Sequence, residues 1–219
     1  LQCFMNMQGL RQAGREFHEL LTGVLAELNI RPTSVDNGIF VFMYKESIVI
    51  LAISTDDILL FTKHKDIFLK IRSKLQTAFG TTFQDSSTIH YLNYRIIQSM
   101  SGISVDQTEF ILDMLKRYIP DPKNCPKVHT PLRTDRQFDL EILQSIPASE
   151  SELKLLAKEY KADYRTIFGQ ICHVMKSSRP DLSNAVNRLG VFQASPNRLA
   201  FQSIYRVLQY LNTYPHVPL

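Results

Sequence analysis

The chain has 219 residues, 44% of them hydrophobic and 21% charged, with a formal net charge of +4. That is enough apolar material for one large domain or two small ones. So small a charge supports no claim about partners from the overall field, and leaves local clusters to carry any such argument.

Cys3, Cys125 and Cys172 are odd in number and far apart, with no CxxC pair, which fits a reducing compartment rather than a disulfide framework. Cys125 and His129 have the spacing of two zinc ligands, but a zinc site needs further ligands and none lie nearby in sequence. The N-terminus has no basic stretch leading into an apolar one, so no secretion signal is expected. No apolar run approaches the ~20 residues of a membrane helix, which points to an intracellular protein without a membrane partner. Residue 1 is Leu and a structured pattern begins almost at once, so the chain reads as a piece of something longer.

In chain order, Leu10, Phe17, Leu20, Leu21, Val24, Leu25 and Leu28 form a helical stripe over 10–29, ended by Arg31-Pro32. Asp36-Asn37-Gly38 is a turn, and 39–44 a strand rich in Phe and β-branched residues. Lys45-Glu46-Ser47 turns back into a strand over 48–53, and a further turn leads to 58–62, giving an antiparallel meander. Ile67, Ile71, Leu75 and Ala78 mark a helix. Residues 90–98 and 103–106 read as a hairpin through Ser101-Gly102, and Thr108 opens an amphipathic helix with Phe110, Ile111, Met114 and Leu115 inside. Five of the ten prolines (Pro120, Pro122, Pro126, Pro131 and Pro147) then mark an extended linker. Beyond it the pattern is helical over about 154–176, 179–192 and 196–210, with Ser178/Asp181 as a capping-box variant and Ser195-Pro196 as an N-cap with Pro at the first helical position. The expected class is α+β: an antiparallel sheet with packed helices over 1–119, a Pro-rich basic linker over 120–150, and a small helical domain over 151–219.

Two basic clusters stand out. Lys63, Lys65, Lys70, Arg72 and Lys74 face one acid, Asp66, in the first. Lys116, Arg117, Lys123, Lys127, Arg133 and Arg136 face Asp121 and Asp135 in the second. Such runs are either solvated faces or contacts to nucleic-acid phosphate.

The most pointed feature is SIVILAISTDDILLFTK, residues 47–63, where Asp56 and Asp57 adjoin between strands apolar enough to be buried on both faces. Neighbouring carboxylates repel unless solvent or a cation relieves them. One reading is a hairpin tip, where Asp tolerates the turn and water solvates its charge. The other is a divalent-metal site of the kind phosphoryl-transfer enzymes use, which needs a third carboxylate from another strand.

The order of these pieces resembles the reverse transcriptase of copia-type LTR retrotransposons over nearly the whole chain. QGLRQAGREF, residues 8–17, is similar to that family's Tyr-Gly-Leu-Lys-Gln-Ala-Pro-Arg block, and VDNGIFVF to its Asp-Pro-Cys-Leu-Tyr segment. STDD, residues 54–57, stands where the family carries Tyr-Val-Asp-Asp. GISVDQTEFILDMLKRY, VHTPL, YRTIFGQICHVMKSSRPDLSNAVNRL and RVLQYL resemble its later blocks in the same order.

The resemblance implies a palm followed by a thumb- or connection-like helical region. It implies that Asp56 and Asp57 hold two Mg²⁺ ions for nucleotidyl transfer, Asp56 bridging both and Asp57 assisting, and that Gly9 and Gln12 border the incoming deoxynucleotide triphosphate. Ser54, Lys63, Lys65, Lys70, Lys74, Lys116, Arg117, Lys123 and Lys127 would contact an RNA template and DNA primer. The rest of a Pol polyprotein, integrase upstream and RNase H downstream, would complete the protein, in a cytoplasmic particle or the nucleus.

The chain departs from the pattern in several places. The family's third catalytic Asp lies upstream of the Gly-Leu-Lys-Gln block, as do the fingers, and none of Asp36, Asp66 or Asp85 has a matching context. Ser54 replaces an aromatic, Gln8 a Tyr and Gly14 a Pro, and SSTIHYLNYRI lacks two family glycines. Activity of this chain alone is therefore not expected. The alternative is a decayed, non-catalytic remnant that at most binds nucleic acid.

Overall fold

The computed structural model describes residues 13–55, 57–84 and 86–217. Packing divides the chain into two compact units, Leu1–Asp85 and Ser86–Leu219.

In the first unit, helix α1 (Ala13–Ala26) precedes strands β1 (Ile39–Tyr44), β2 (Ser47–Ser54) and β3 (Asp57–Phe61), and helix α2 (Lys65–Phe79) follows. The strands form an antiparallel sheet in the order β1-β2-β3. The two-residue period of a strand puts Phe40, Val49 and Leu51 on one face, where they are buried with Leu21 and Leu25 of α1 and Ile67, Ile71 and Leu75 of α2. The opposite face is open. Val41 pairs with Ile50 and Met43 with Ile48 across the strands, and all four are exposed, Met43 by 64%. The expectation that these strands are buried on both faces is thus corrected: both helices pack on the same side.

Local chemistry fixes this geometry. The β1–β2 turn places Lys45 and Glu46 at positive φ, the mirror-image turn that suits the twist of a two-residue hairpin. That turn is tied to α2, because Tyr44 Oη and Lys45 Nζ both donate to Asp66, at 2.7 and 2.5 Å. These bonds, Lys45 first and Tyr44 second, hold the Asp66 carboxyl well below its usual pKa. Gly80, at φ +65, ends α2 with its amide bonded to the Gln76 carbonyl.

The second unit begins with strands β4 (Thr88–Tyr91), β5 (Tyr94–Ser99) and β6 (Gly102–Asp106), a second antiparallel meander. The expected single hairpin over 90–106 is therefore three strands. Leu92 and Asn93 make a tight turn at positive φ with no glycine to signal it. Helices α3 (Thr108–Tyr118), α4 (Arg136–Leu143), α5 (Glu150–Glu159), α6 (Tyr164–Ser177), α7 (Ser183–Gly190) and α8 (Arg198–Thr213) complete the unit.

Three sequence expectations change here. The stretch 154–176 is two helices, because Lys161 takes positive φ and the Asp163 carboxylate caps α6 through the Thr166 amide at 2.9 Å. Helix α8 is capped by Asn197, not Ser195: Asn197 Oδ1 accepts from the Ala200 amide, and its Nδ2 donates to the Ile146 carbonyl. The Pro-rich stretch is not a free spacer. Leu132 and Phe138 of that stretch are buried in the same core as α6 and α8, and the Arg133 and Arg188 guanidiniums both lie against the Phe138 ring. Packing thus partitions the chain at 85/86, whereas composition suggested 120–150. The α+β class holds, as two small antiparallel sheets with packed helices.

Candidate catalytic site

The hairpin tip is built by register. Ser54 pairs directly with Asp57, and Thr55 turns at φ +51. Direct partners share a face, so both side chains belong to the outer face with Ala52, Leu59, Ile50 and Phe61. Asp57 is exposed there and has no ion-pair partner among the described residues. Asp56, Gly9 and Gln12 lie outside the described residues.

The tip rests on a close backbone approach. The Ile53 amide donates to the Gly38 carbonyl at 2.8 Å, and a Cβ on Gly38 would meet the Ile53 carbonyl oxygen at 2.8 Å. Only glycine fits without shifting β2. Asp36 holds Gly38 through its carboxylate, at 2.7 Å, and the His18 ring of α1 bonds the Asn37 carbonyl at 2.9 Å. Helix α1, the Asp36–Gly38 turn and the strand leading to the carboxylates therefore brace one another.

The arrangement suits a cation in one respect. A carboxylate exposed on a braced hairpin, beside a hydroxyl and with no ion pair among the described residues, fits the oxygen-rich shell of Mg²⁺. The set is incomplete: no group of three or more His, Cys, Asp or Glu able to hold a metal occurs among the described residues.

The basic residues are placed unequally. Lys65, Lys70 and Lys74 lie on α2, which covers the inner face, so the sheet stands between them and Asp57. Lys74 is engaged by Glu27, and Lys63 follows β3 at the end remote from the tip. Lys116, Arg117, Lys123 and Lys127 belong to the second unit, where Lys116 pairs with Asp113 at 2.8 Å and Lys123 and Lys127 are exposed. Among the described candidates, Ser54 and Asp57 are brought together at the tip.

Sequence reasoning missed a cavity of about 490 Å³ between β4–β5 and α3, lined by Tyr91, Tyr94, Arg95, Gln107, Phe110 and Arg117 among others. Its signal was the pair of tyrosines flanking the Leu92-Asn93 turn, hidden because neither turn residue is a glycine. Nor did the sequence, where Arg179 with Pro180 and Asp181 reads as a helix N-terminus, signal that Arg179 is buried, at 1% exposed. The reading of Ser178 and Asp181 as a helix cap is corrected: Ser178 donates to Gln107, and Asp181 binds the Arg179 guanidinium through both oxygens.

Comparison with known proteins places this hairpin in a family. The model of the reverse transcriptase (RNA-dependent DNA polymerase) family matches residues 3–134, and the chain belongs to that family. It is 28% identical over 211 residues, 96% of its length, to a retrovirus-related Pol polyprotein from transposon RE1 of Arabidopsis thaliana. It is 23% identical, over 95% of its length, to the Pol polyprotein from transposon TNT 1-94 of Nicotiana tabacum. A putative transposon Ty5-1 protein of Saccharomyces cerevisiae is 22% identical over 97% of the chain and 64% of its own length. These matches bear out the copia-type resemblance. The chain spans 13% of the length of the RE1 polyprotein. No solved structure matches it significantly. No helix among the described residues is long and apolar enough to cross a membrane.

Proposed function

We propose that the chain is the part of a retrotransposon RNA-directed DNA polymerase that carries the catalytic hairpin, its first unit palm and its helices thumb- or connection-like. The observation that carries this reading is Asp57, exposed beside Ser54 on the open face of a braced sheet, in a chain of the reverse transcriptase family. Asp56 and Asp57 would hold Mg²⁺, with a further carboxylate from sequence preceding the chain. Bound there, the metal would supply charge neutralisation of the nucleotide phosphates and activation of the primer hydroxyl. The chain's own residues brace the strand that leads to Asp57 through the Gly38–Ile53 contact, with Asp57 exposed toward primer, template and nucleotide. Gly9 and Gln12 would border the nucleotide, and the remaining Pol polyprotein would be the covalent partner.

A second reading, a non-catalytic remnant, is favoured by Ser54, because a hydroxymethyl group offers none of the stacking surface of an aromatic beside nucleic acid. Primer extension on an RNA template with Mg²⁺ decides between them. The test compares the chain, the chain joined to the sequence preceding it in its reading frame, and that longer protein carrying Asp56→Asn or Asp57→Asn, with primer-template binding as the control for folding. Extension by the longer protein alone, abolished by Asp56→Asn, establishes the polymerase. Binding without extension establishes the remnant.

A further inference from the structure

Seven polar or charged residues are buried among the described residues, and five of them (Asp106, Gln107, Thr108, Ser178 and Arg179) meet in one place in the second unit. Buried polar groups are retained only when each finds its partners, so such a cluster specifies one arrangement closely. Here the partners fall into two sets. Ser178 Oγ donates to Gln107 Oε1 at 2.9 Å, and Gln107 bonds the His173 ring at 3.0 Å while lining the cavity beside β4–β5. Arg179 Nη1 donates to the Tyr214 carbonyl at 2.6 Å, at the start of the segment that leaves α8. That segment is also held by Tyr214 Oη to His129 Nδ1 at 2.5 Å and by Thr108 Oγ1 to the Pro215 carbonyl at 3.4 Å.

Ser178 and Arg179 cannot shift independently, because their backbone amides both bond the Val174 carbonyl, at 2.9 and 3.0 Å. Asp181 fixes the guanidinium through two bonds and is held in turn by Tyr210 Oη at 2.9 Å. On the other side, Gln107 and Thr108 are neighbours in chain, one serving the cavity wall and the other the segment. Both ends of the link are therefore doubled.

From this we infer that Ser178 and Arg179 form a latch coupling the docking of residues 214–217 to the arrangement of the cavity wall at Gln107. An occupant that moves Gln107 changes how firmly the segment is held, and freeing the segment loosens the wall by the same factor, since coupling between two sites is reciprocal. The inference does not rest on the polymerase reading.

Hydrogen exchange of the full 219-residue chain tests it, comparing wild type, Ser178→Ala and Tyr214→Phe. Each substitution deletes a hydrogen bond on one side only. The latch requires each to speed exchange about fivefold, the size expected for one lost hydrogen bond, at both 107–111 and 213–217, while 167–171 inside α6 stays unchanged. Faster exchange confined to the side that was altered overturns it. So does a uniform rise that includes α6, which marks a merely structural role.

Discussion

Among the described residues, the first unit gathers nine into a core on one side of its sheet and leaves Val41, Met43, Ile48 and Ile50 exposed on the other, whereas the second gathers twenty-four from α3 to α8 and the stretch between α3 and α4. Polar groups divide the same way. Asp57 stands exposed at the edge of the first unit's open face, while the seven buried polar residues among those described belong to the second. The difference is instructive because a carboxylate that is to meet a cation and a substrate must stay in water until they arrive, and a bare face keeps it there. Groups that hold helices and a chain end in one arrangement must be out of water, where each hydrogen bond counts for more.

The hardest blow to this contrast falls on the buried cation. Arg179→Met leaves Asp181 and the Tyr214 carbonyl without their partner, and should destabilise the second unit by about 3–5 kcal/mol. Denaturant unfolding followed by hydrogen exchange in each unit checks this, and the first unit should be unaffected. Leu51→Ala, on the buried face of β2, should cost the first unit about 2–5 kcal/mol in the same measurement and spare the second.

Acid acts on the second unit through its paired carboxylates. Burial pushes the Asp181 carboxyl up, but Arg179 and Tyr210 outweigh it and leave its pKa below the ordinary value. Burial also opposes ionisation of Asp106, and the Thr108 bonds and Arg95 again outweigh it. With folded-state pKa values below that of the unfolded chain, about 3.9, this stabilisation is complete above that pH and lost as pH falls through the folded values. Unfolding curves at pH 6 and pH 3 should show the second unit losing stability over that window, with Asp181→Asn making the loss shallower. At the weak end, Met43→Ser or Ile48→Thr on the open face should change stability by no more than about 0.5 kcal/mol. A loss comparable to that of Leu51→Ala would mean the face is covered in solution.

How much could be read in advance differs from residue to residue. Strands β1 to β3 and helices α2 and α3 were legible because their apolar residues recur at two or at three to four positions, and because Lys45-Glu46 separates β1 from β2. The Leu92-Asn93 turn and the Lys161 break were not, since non-glycine residues took left-handed conformations that only their surroundings could enforce. The Asp pair was legible as a candidate site, yet which face receives Asp57 followed from the register with Ser54 and from the side on which α1 and α2 pack.

By itself the sequence determined the class, the meander and the family, because periodicity and the order of motifs are local properties of the chain. Only the tertiary structure decided that α2 stands between its lysines and Asp57, that the Pro-rich stretch packs into a core, and that Arg179 is buried. The reason is that burial of a charge depends on what residues distant in sequence bring to it. For Arg179 the carboxylate two residues on is local, but the carbonyl of Tyr214 comes from thirty-five residues away.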